Sequence, residues 1–176
     1  MAAIDEFNDE AVGRAVEVLR ACNAAPSFAA ELVAGRPYPD TEALVARAEE
    51  VARGLPWDEV TLALGAHPRI GDRVQGASRE AQASRREQGA MQDADADIRA
   101  ALVDGNRAYE QLFDHVFLIR AAGRSPEEML AELRRRLGND EQTERTEVTE
   151  QLAQITALRV RAMLEVGQSG DGADRA

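Results

Sequence analysis

The chain has 176 residues, 44% hydrophobic and 30% charged, which suits one soluble domain with a sizeable core. A formal net charge of -11 repels nucleic acid and anionic lipid, so neither is an expected partner, and a small anionic substrate needs local positive groups. A single cysteine, Cys22, excludes an internal disulfide, and no apolar run reaches membrane-spanning length; both point to a cytoplasmic protein.

Aromatic residues make up only 4% of the chain, so the core is built from Ala, Leu, Val and Ile, as packed helices prefer. Residues 1–10 are acidic without an apolar run, so no secretory signal is expected there. Asn8 is placed to cap a first helix with the stripe Val12, Val16 and Leu19. Cys22 continues that stripe and reads as a small buried hydrophobe. A short helix follows around residues 28–33, then a break at Gly35, Pro37 and Pro39. Leu44, Val45, Ala48, Val51 and Ala52 mark the next helix, which Gly54 stops. Pro56, with Asp58 and Glu59 behind it, opens another.

Residues 65–71 read Gly-Ala-His-Pro-Arg-Ile-Gly, a loop in which Pro68 biases His67 away from helical geometry. A polar helix is expected over 78–91. A longer one follows, with Leu102, Val103, Asn106, Tyr109, Leu112 and Phe113 as its stripe. The run 116–119 has the composition of a buried strand. Ser125-Pro126-Glu127-Glu128 combines an N-cap, a proline at N1 and a glutamate at N3, and Met129, Leu130, Leu133 and Leu137 form the buried side of the helix it starts. The last helix is expected over 140–166, leaving a disordered tail at 167–176. The fold class is all-α: a single-domain helical bundle of about eight helices over residues 1–166.

The sequence carries no Cys pair, HExxH or P-loop, so no metal site is expected. Chemistry is confined to three places. His67 sits in a Pro/Gly loop and titrates near neutral pH, which suits an acid–base group or a hydrogen-bonded structural histidine. Ser84, Glu87 and Gln88 share one helical face, presenting a hydroxyl, a carboxylate and a carboxamide; the same Ser-x-x-Glu spacing also suits a capping box or a solvated face. Arg159 falls in the apolar sector of Val148, Leu152, Ile155, Leu158 and Ala162, whereas Arg161 points away. A guanidinium so placed needs a carboxylate partner or an anionic ligand. His115, beside the apolar run, suits either a pocket wall or the core.

These residues, in this order, resemble the family of 2-oxo-4-hydroxy-4-carboxy-5-ureidoimidazoline (OHCU) decarboxylases. The resemblance covers most of the chain. It is carried by Phe7-Asn8, Arg36-Pro37, the segment 64–71, Ser84-x-x-Glu87-Gln88, Asn106-x-x-Tyr109, Phe117-Leu118-Ile119 with Gly123-Arg124-Ser125, and Ile155-x-x-Leu158-Arg159-Val160. The chain departs from the family where an FGFPF pattern is replaced by Phe113-Asp114-His115-Val116-Phe117, and where a tryptophan expected near Phe28 is absent. The resemblance implies a decarboxylase of urate breakdown that forms (S)-allantoin without metal or organic cofactor, all-helical and commonly a homodimer. It implies that His67, Glu87 and Arg159 are catalytic. It further implies that Pro68, Ser84, Gln88, Ile119, Arg120, Ala121, Ala122 and Gly123 contact the small-molecule substrate, partly through backbone groups. Two other readings stand beside it: a lyase for a related ureido acid, and a helical protein-binding module, which would expose a large apolar groove.

Overall fold

The computed structural model describes residues 3–71, 78–87, 89 and 95–169. Among them are nine α-helices and no strand: α1 (Ala3–Asp9), α2 (Val12–Cys22), α3 (Pro26–Ala34), α4 (Thr41–Arg53), α5 (Trp57–Leu64), α6 (Arg79–Glu87), α7 (Ala96–Phe113), α8 (Pro126–Arg136) and α9 (Glu141–Ser169). The all-α class holds. The ninth helix is α1, whose Ala3, Ile4 and Phe7 are buried although no long apolar run announces them. The chain divides into two compact units, one formed by Met1–Glu59 with Ala153–Ala176, the other by Val60–Leu152.

In the first unit α3 packs against both α2 and α4. Leu19, Phe28, Leu32, Leu44, Ala48 and Val160 are fully buried there. Polar ties fix the connections. Asn8 does not cap α2. It lies inside α1, where its carboxamide donates to the Tyr38 carbonyl (2.9 Å) and accepts from the Tyr38 amide (2.8 Å). Arg36 donates to the carbonyls of Phe7 (2.9 Å) and Glu10 (2.7 Å), and the peptide bond between Arg36 and Pro37 is cis. Asn23, 2% exposed, closes the end of α2: it accepts from the Ala25 amide (2.9 Å) and donates to Thr156 on α9 (3.1 Å). The buried face of α2 is Ala15, Leu19 and Cys22, with Val12 at 60% exposure outside it. Cys22 is buried, as its place in the stripe requires.

In the second unit α7 packs along α8. The approach is close because residue 105 is glycine: a Cβ there would stand 2.5 Å from Leu133 Cδ2. Ile70, Leu102, Tyr109, Phe117, Ile119, Ala121, Met129, Leu130 and Leu133 form the core cluster. The expected capping box of α8 is present, with the Ser125 amide donating to Glu128 (2.8 Å) and the Glu128 amide to Ser125 Oγ (3.1 Å).

The run 116–119 is not a strand. Phe117, Leu118 and Ile119 are buried, as their composition demands, but no partner strand exists among the described residues. Side chains answer the segment's backbone instead. The Leu118 carbonyl accepts from Arg136 (2.7 Å), and the Arg120 amide donates to Gln151 Oε1 (2.8 Å). Helix α9 runs to Ser169, three residues past its expected end; residues 170–176 lie outside the described residues.

Candidate active site

His67 follows the last turn of α5. The amides of Gly65, Ala66 and His67 donate back to Thr61 (3.2 Å), Ala63 (3.2 Å) and Leu64 (3.0 Å), so the helix winds down into the loop without a free joint. Pro68 fixes its own φ and restricts the backbone of His67 before it, and Gly71 (φ 89°) turns the chain in the left-handed region that suits glycine. The far side of the loop is held by α7. Asn106 donates to the Ile70 carbonyl (2.9 Å), and Arg69 forms a two-pronged ion pair with Glu110 (Nε–Oε1 2.5 Å, Nη2–Oε2 2.8 Å). That pair holds the Glu110 carboxyl below the usual glutamate range. His67 and Pro68 are half-buried between these anchors.

Ser84 and Glu87 lie three residues apart on α6. The helix begins at Arg79, and the hydroxyl that caps it belongs to Ser78, which accepts from the Ala81 amide (3.1 Å). Ser84 is therefore an interior residue, not the start of a capping box. At 2% exposure it is not part of a solvated face either, and Glu87 is half-buried. Gln88 lies outside the described residues.

Residues 119–123 form a rigid edge. Ile119 and Ala121 are 3% and 5% exposed. The Arg124 amide closes a turn on the Ala121 carbonyl (3.1 Å), and Gly123 takes φ 78° within it. Ala122 and Gly123 are exposed, and the Nε of Arg120 is buried without a hydrogen-bond partner. The backbone that leads into the segment is held by a charged network that sequence reasoning missed, through the Leu118 carbonyl. Arg136 (1% exposed) and Glu144 (0%) pair in the core (Nε–Oε1 2.8 Å, Nη2–Oε1 2.5 Å). The guanidinium lies over the rings of Phe117 (4.6 Å to the centroid) and Tyr109 (5.9 Å). The Tyr109 hydroxyl donates to Glu144 through a short hydrogen bond; burial and that carboxylate push its pKa far above the usual tyrosine range. The signal was in the spacing: Arg136 is three residues from Leu133 and seven from Met129, in phase with the buried side of α8.

Arg159 is 7% exposed, on the buried arc of α9 where periodicity placed it. That arc is centred further round than expected: Thr156 and Val160 are fully buried and Leu158 is 40% exposed. Arg161 points outward into a two-pronged pair with Glu42 (Nη2–Oε2 2.8 Å). His67, Pro68, Ser84, Glu87 and residues 119–123 belong to the second unit, Arg159 to the first. His115 is half-buried among aromatic rings, stacked on Phe113 (6.2 Å) and edge-on to Tyr109 (5.4 Å). Among the described residues no three His, Cys, Asp or Glu side chains cluster as metal ligands, and no helix is long and apolar enough to cross a membrane.

Comparison with known proteins gives one family. The OHCU decarboxylase family model matches residues 8–161. No curated protein matches the sequence. Among solved structures, an OHCU decarboxylase crystallised in the presence of (S)-allantoin superposes with a TM-score of 0.70 at 22% identity, covering 83% of this chain and 96% of that one. An (S)-allantoin synthase gives a TM-score of 0.66 at 16% identity, covering 91% of this chain and 53% of that one. These two likenesses establish the fold, and the family match, which runs from Asn8 to Arg161 and so takes in the His67 loop, α6 and Arg159, establishes the kinship: the chain belongs to the OHCU decarboxylase family of carboxy-lyases.

Proposed function

We propose that this chain decarboxylates OHCU to (S)-allantoin, with His67, Glu87 and Arg159 as its catalytic groups. The observation that carries the reading is the family match over residues 8–161, which contains all three. OHCU bears a carboxylate and a hydroxyl on one ring carbon, next to a carbon–nitrogen double bond. When the bond to the carboxylate breaks, its electron pair forms a carbon–carbon double bond and the C=N pair moves onto nitrogen, which takes a proton. The resulting enol returns to the ketone as its hydroxyl proton leaves and the neighbouring carbon gains one. The ring is its own electron sink, so the proposed chemistry asks for no metal or organic cofactor.

His67, paired with Glu87, manages the hydroxyl proton and the proton delivered to carbon. Positioned transfer of this kind contributes about 10²–10⁴-fold. Arg159 anchors an anionic oxygen of the substrate through its planar fork. Ser84, Gln88, Pro68 and the backbone of residues 119–123 hold the ring; the buried hydroxyl of Ser84 and the rigid turn at Gly123 support that assignment. Fixing the ring decides which face receives the proton, and hence the (S) product. The proposal extends to a cytoplasmic homodimer, which sedimentation velocity of the purified chain tests.

The catalytic assignment is tested by generating OHCU with urate oxidase and following product chirality by circular dichroism. His67→Ala and Glu87→Ala each abolish the (S) excess while the far-ultraviolet spectrum stays helical. A His67→Ala protein that makes (S)-allantoin at the wild-type rate refutes the assignment.

A further inference from the structure

We propose that Asn106 and Glu110, one turn apart on α7, are positioning residues that set where the His67 imidazole sits. The proposal rests on the reading that His67 is the acid–base group. Its own support is geometric and lies wholly within the unit Val60–Leu152.

The loop 65–71 is pinned at both ends. On the α5 side the His67 amide donates to the Leu64 carbonyl (3.0 Å), which leaves the upstream backbone no freedom to swing. On the other side both fastenings come from one face of α7. Asn106 grips the backbone of Ile70, and Glu110 grips the side chain of Arg69 with two parallel bonds. Between the two ends stands Pro68, whose ring fixes its own φ and restricts His67. With both ends and the middle fixed, the imidazole retains only its side-chain torsions. Releasing the downstream end returns backbone freedom to residues 68–70 and moves the ring that must meet a carbon on one face.

Two details separate a positioning role from ordinary packing. Asn106 is 2% exposed, and its Oδ1 is buried with no hydrogen-bond partner. A leucine has the same branched outline and strands no acceptor, so packing alone does not select asparagine; the bond its Nδ2 donates does. Glu110 makes the opposite case. Its side chain is 26% exposed and that of Arg69 is 53% exposed, and ion pairs so open to water add little to stability. What a two-pronged pair supplies at such a site is fixed geometry.

The test compares Glu110→Ala, Asn106→Leu, the exchanged pair Arg69→Glu with Glu110→Arg, and His67→Ala. Glu110→Ala keeps its helical spectrum and melting temperature, loses tenfold or more in kcat with KM within threefold, and yields allantoin of reduced (S) excess. Asn106→Leu does the same, and the exchanged pair returns kcat to within threefold of wild type. The chain has two histidines, so ring Cε1–H resonances, assigned with His67→Ala, report the geometry without substrate. A single sharp His67 signal in the wild type broadens or splits in Glu110→Ala. If Asn106→Leu does not fold, Glu110→Ala and the exchanged pair decide. Inactive His67→Ala beside wild-type kcat and excess in Glu110→Ala overturns the positioning role and leaves the catalytic reading intact. Fully active His67→Ala overturns the catalytic reading. An unaltered His67 resonance in Glu110→Ala overturns the positioning role whatever the kinetics show.

Discussion

Glu144→Gln is the sharpest test of how the second unit is held together. The carboxylate is fully buried and accepts hydrogen bonds from the Tyr109 hydroxyl, from Arg136 (2.8 and 2.5 Å) and from Asn139 (2.9 Å). The amide keeps the shape and one acceptor but removes the charge that neutralises Arg136. Removing one partner of a buried ion pair costs about 3–5 kcal/mol, because the other charge stays behind without compensation. Since Arg136 keeps the Leu118 carbonyl and two ring faces, the lower end, about 3 kcal/mol, is expected. Against a total stability of about 5–15 kcal/mol that is a large share, and for a chain of this length it lowers the melting temperature by roughly 6–12 °C. Urea titration followed by far-ultraviolet circular dichroism at pH 7 measures it. Glu42→Gln, which breaks the exposed pair with Arg161, is the control and leaves the midpoint unchanged. The apolar double variant Arg136→Met with Glu144→Leu recovers only part of the loss, because the Tyr109 hydroxyl and the Leu118 carbonyl are left without partners. A loss below about 1 kcal/mol in Glu144→Gln refutes the reasoning, since that is the scale of a solvated surface pair.

Two further outcomes follow from the same unit. Arg135 holds the carboxyls of Glu147 and Glu132 below the ordinary glutamate value of 4.5. A depressed folded-state value means that stability is fully present above pH 4.5 and is lost as pH falls through the folded-state value, so Arg135→Gln flattens the acid limb of stability against pH in a urea series; a limb as steep as wild type contradicts this. Gly105→Ala gains about 1 kcal/mol in helix propensity but drives its methyl against the fully buried Leu133, and overpacking of about 1–3 kcal/mol outweighs the gain. The variant therefore melts lower than wild type, and a higher melting point shows that α7 and α8 have room to part.

Much of this was legible in the letters, and where it was not the reason is specific. Helix starts announced themselves through local chemistry: the Ser125 box formed as spelled, because every group in it lies within four residues. Arg159 was placed on the inner arc by phase alone. The run 116–119 misled because burial and strand pairing leave the same composition; only the long-range partners Arg136 and Gln151 show that side chains satisfy its backbone. Asn8 misled for a related reason. A cap and a side chain bonded to a distant backbone look alike until Tyr38, thirty residues on, is seen to supply both a donor and an acceptor. The loop residue His67 was conspicuous through its neighbours Pro68 and Gly71, whereas of the two residues that hold the loop Asn106 stood only as one polar residue in a stripe and nothing local marked Glu110.

A bias in composition ties these features together. All 21 basic residues are arginine, against 32 acidic ones. In so acidic a chain a cation finds a carboxylate readily, and a guanidinium finds it in a fixed two-pronged geometry that a lysine cannot provide. Arg69 with Glu110, Arg161 with Glu42 and Arg135 between Glu132 and Glu147 are exposed examples, adding more order than stability. Two arginines among the described residues are buried, Arg136 and Arg159. Arg136 is answered by Glu144 and by the carbonyl of Leu118, and it thereby shapes the backbone that leads into residues 119–123. The proposed decarboxylase divides its arginines accordingly. Arg69, paired with Glu110, holds the loop that carries His67, Arg136 holds the backbone that leads into residues 119–123, and the proposed reaction assigns Arg159 to the anion of the substrate.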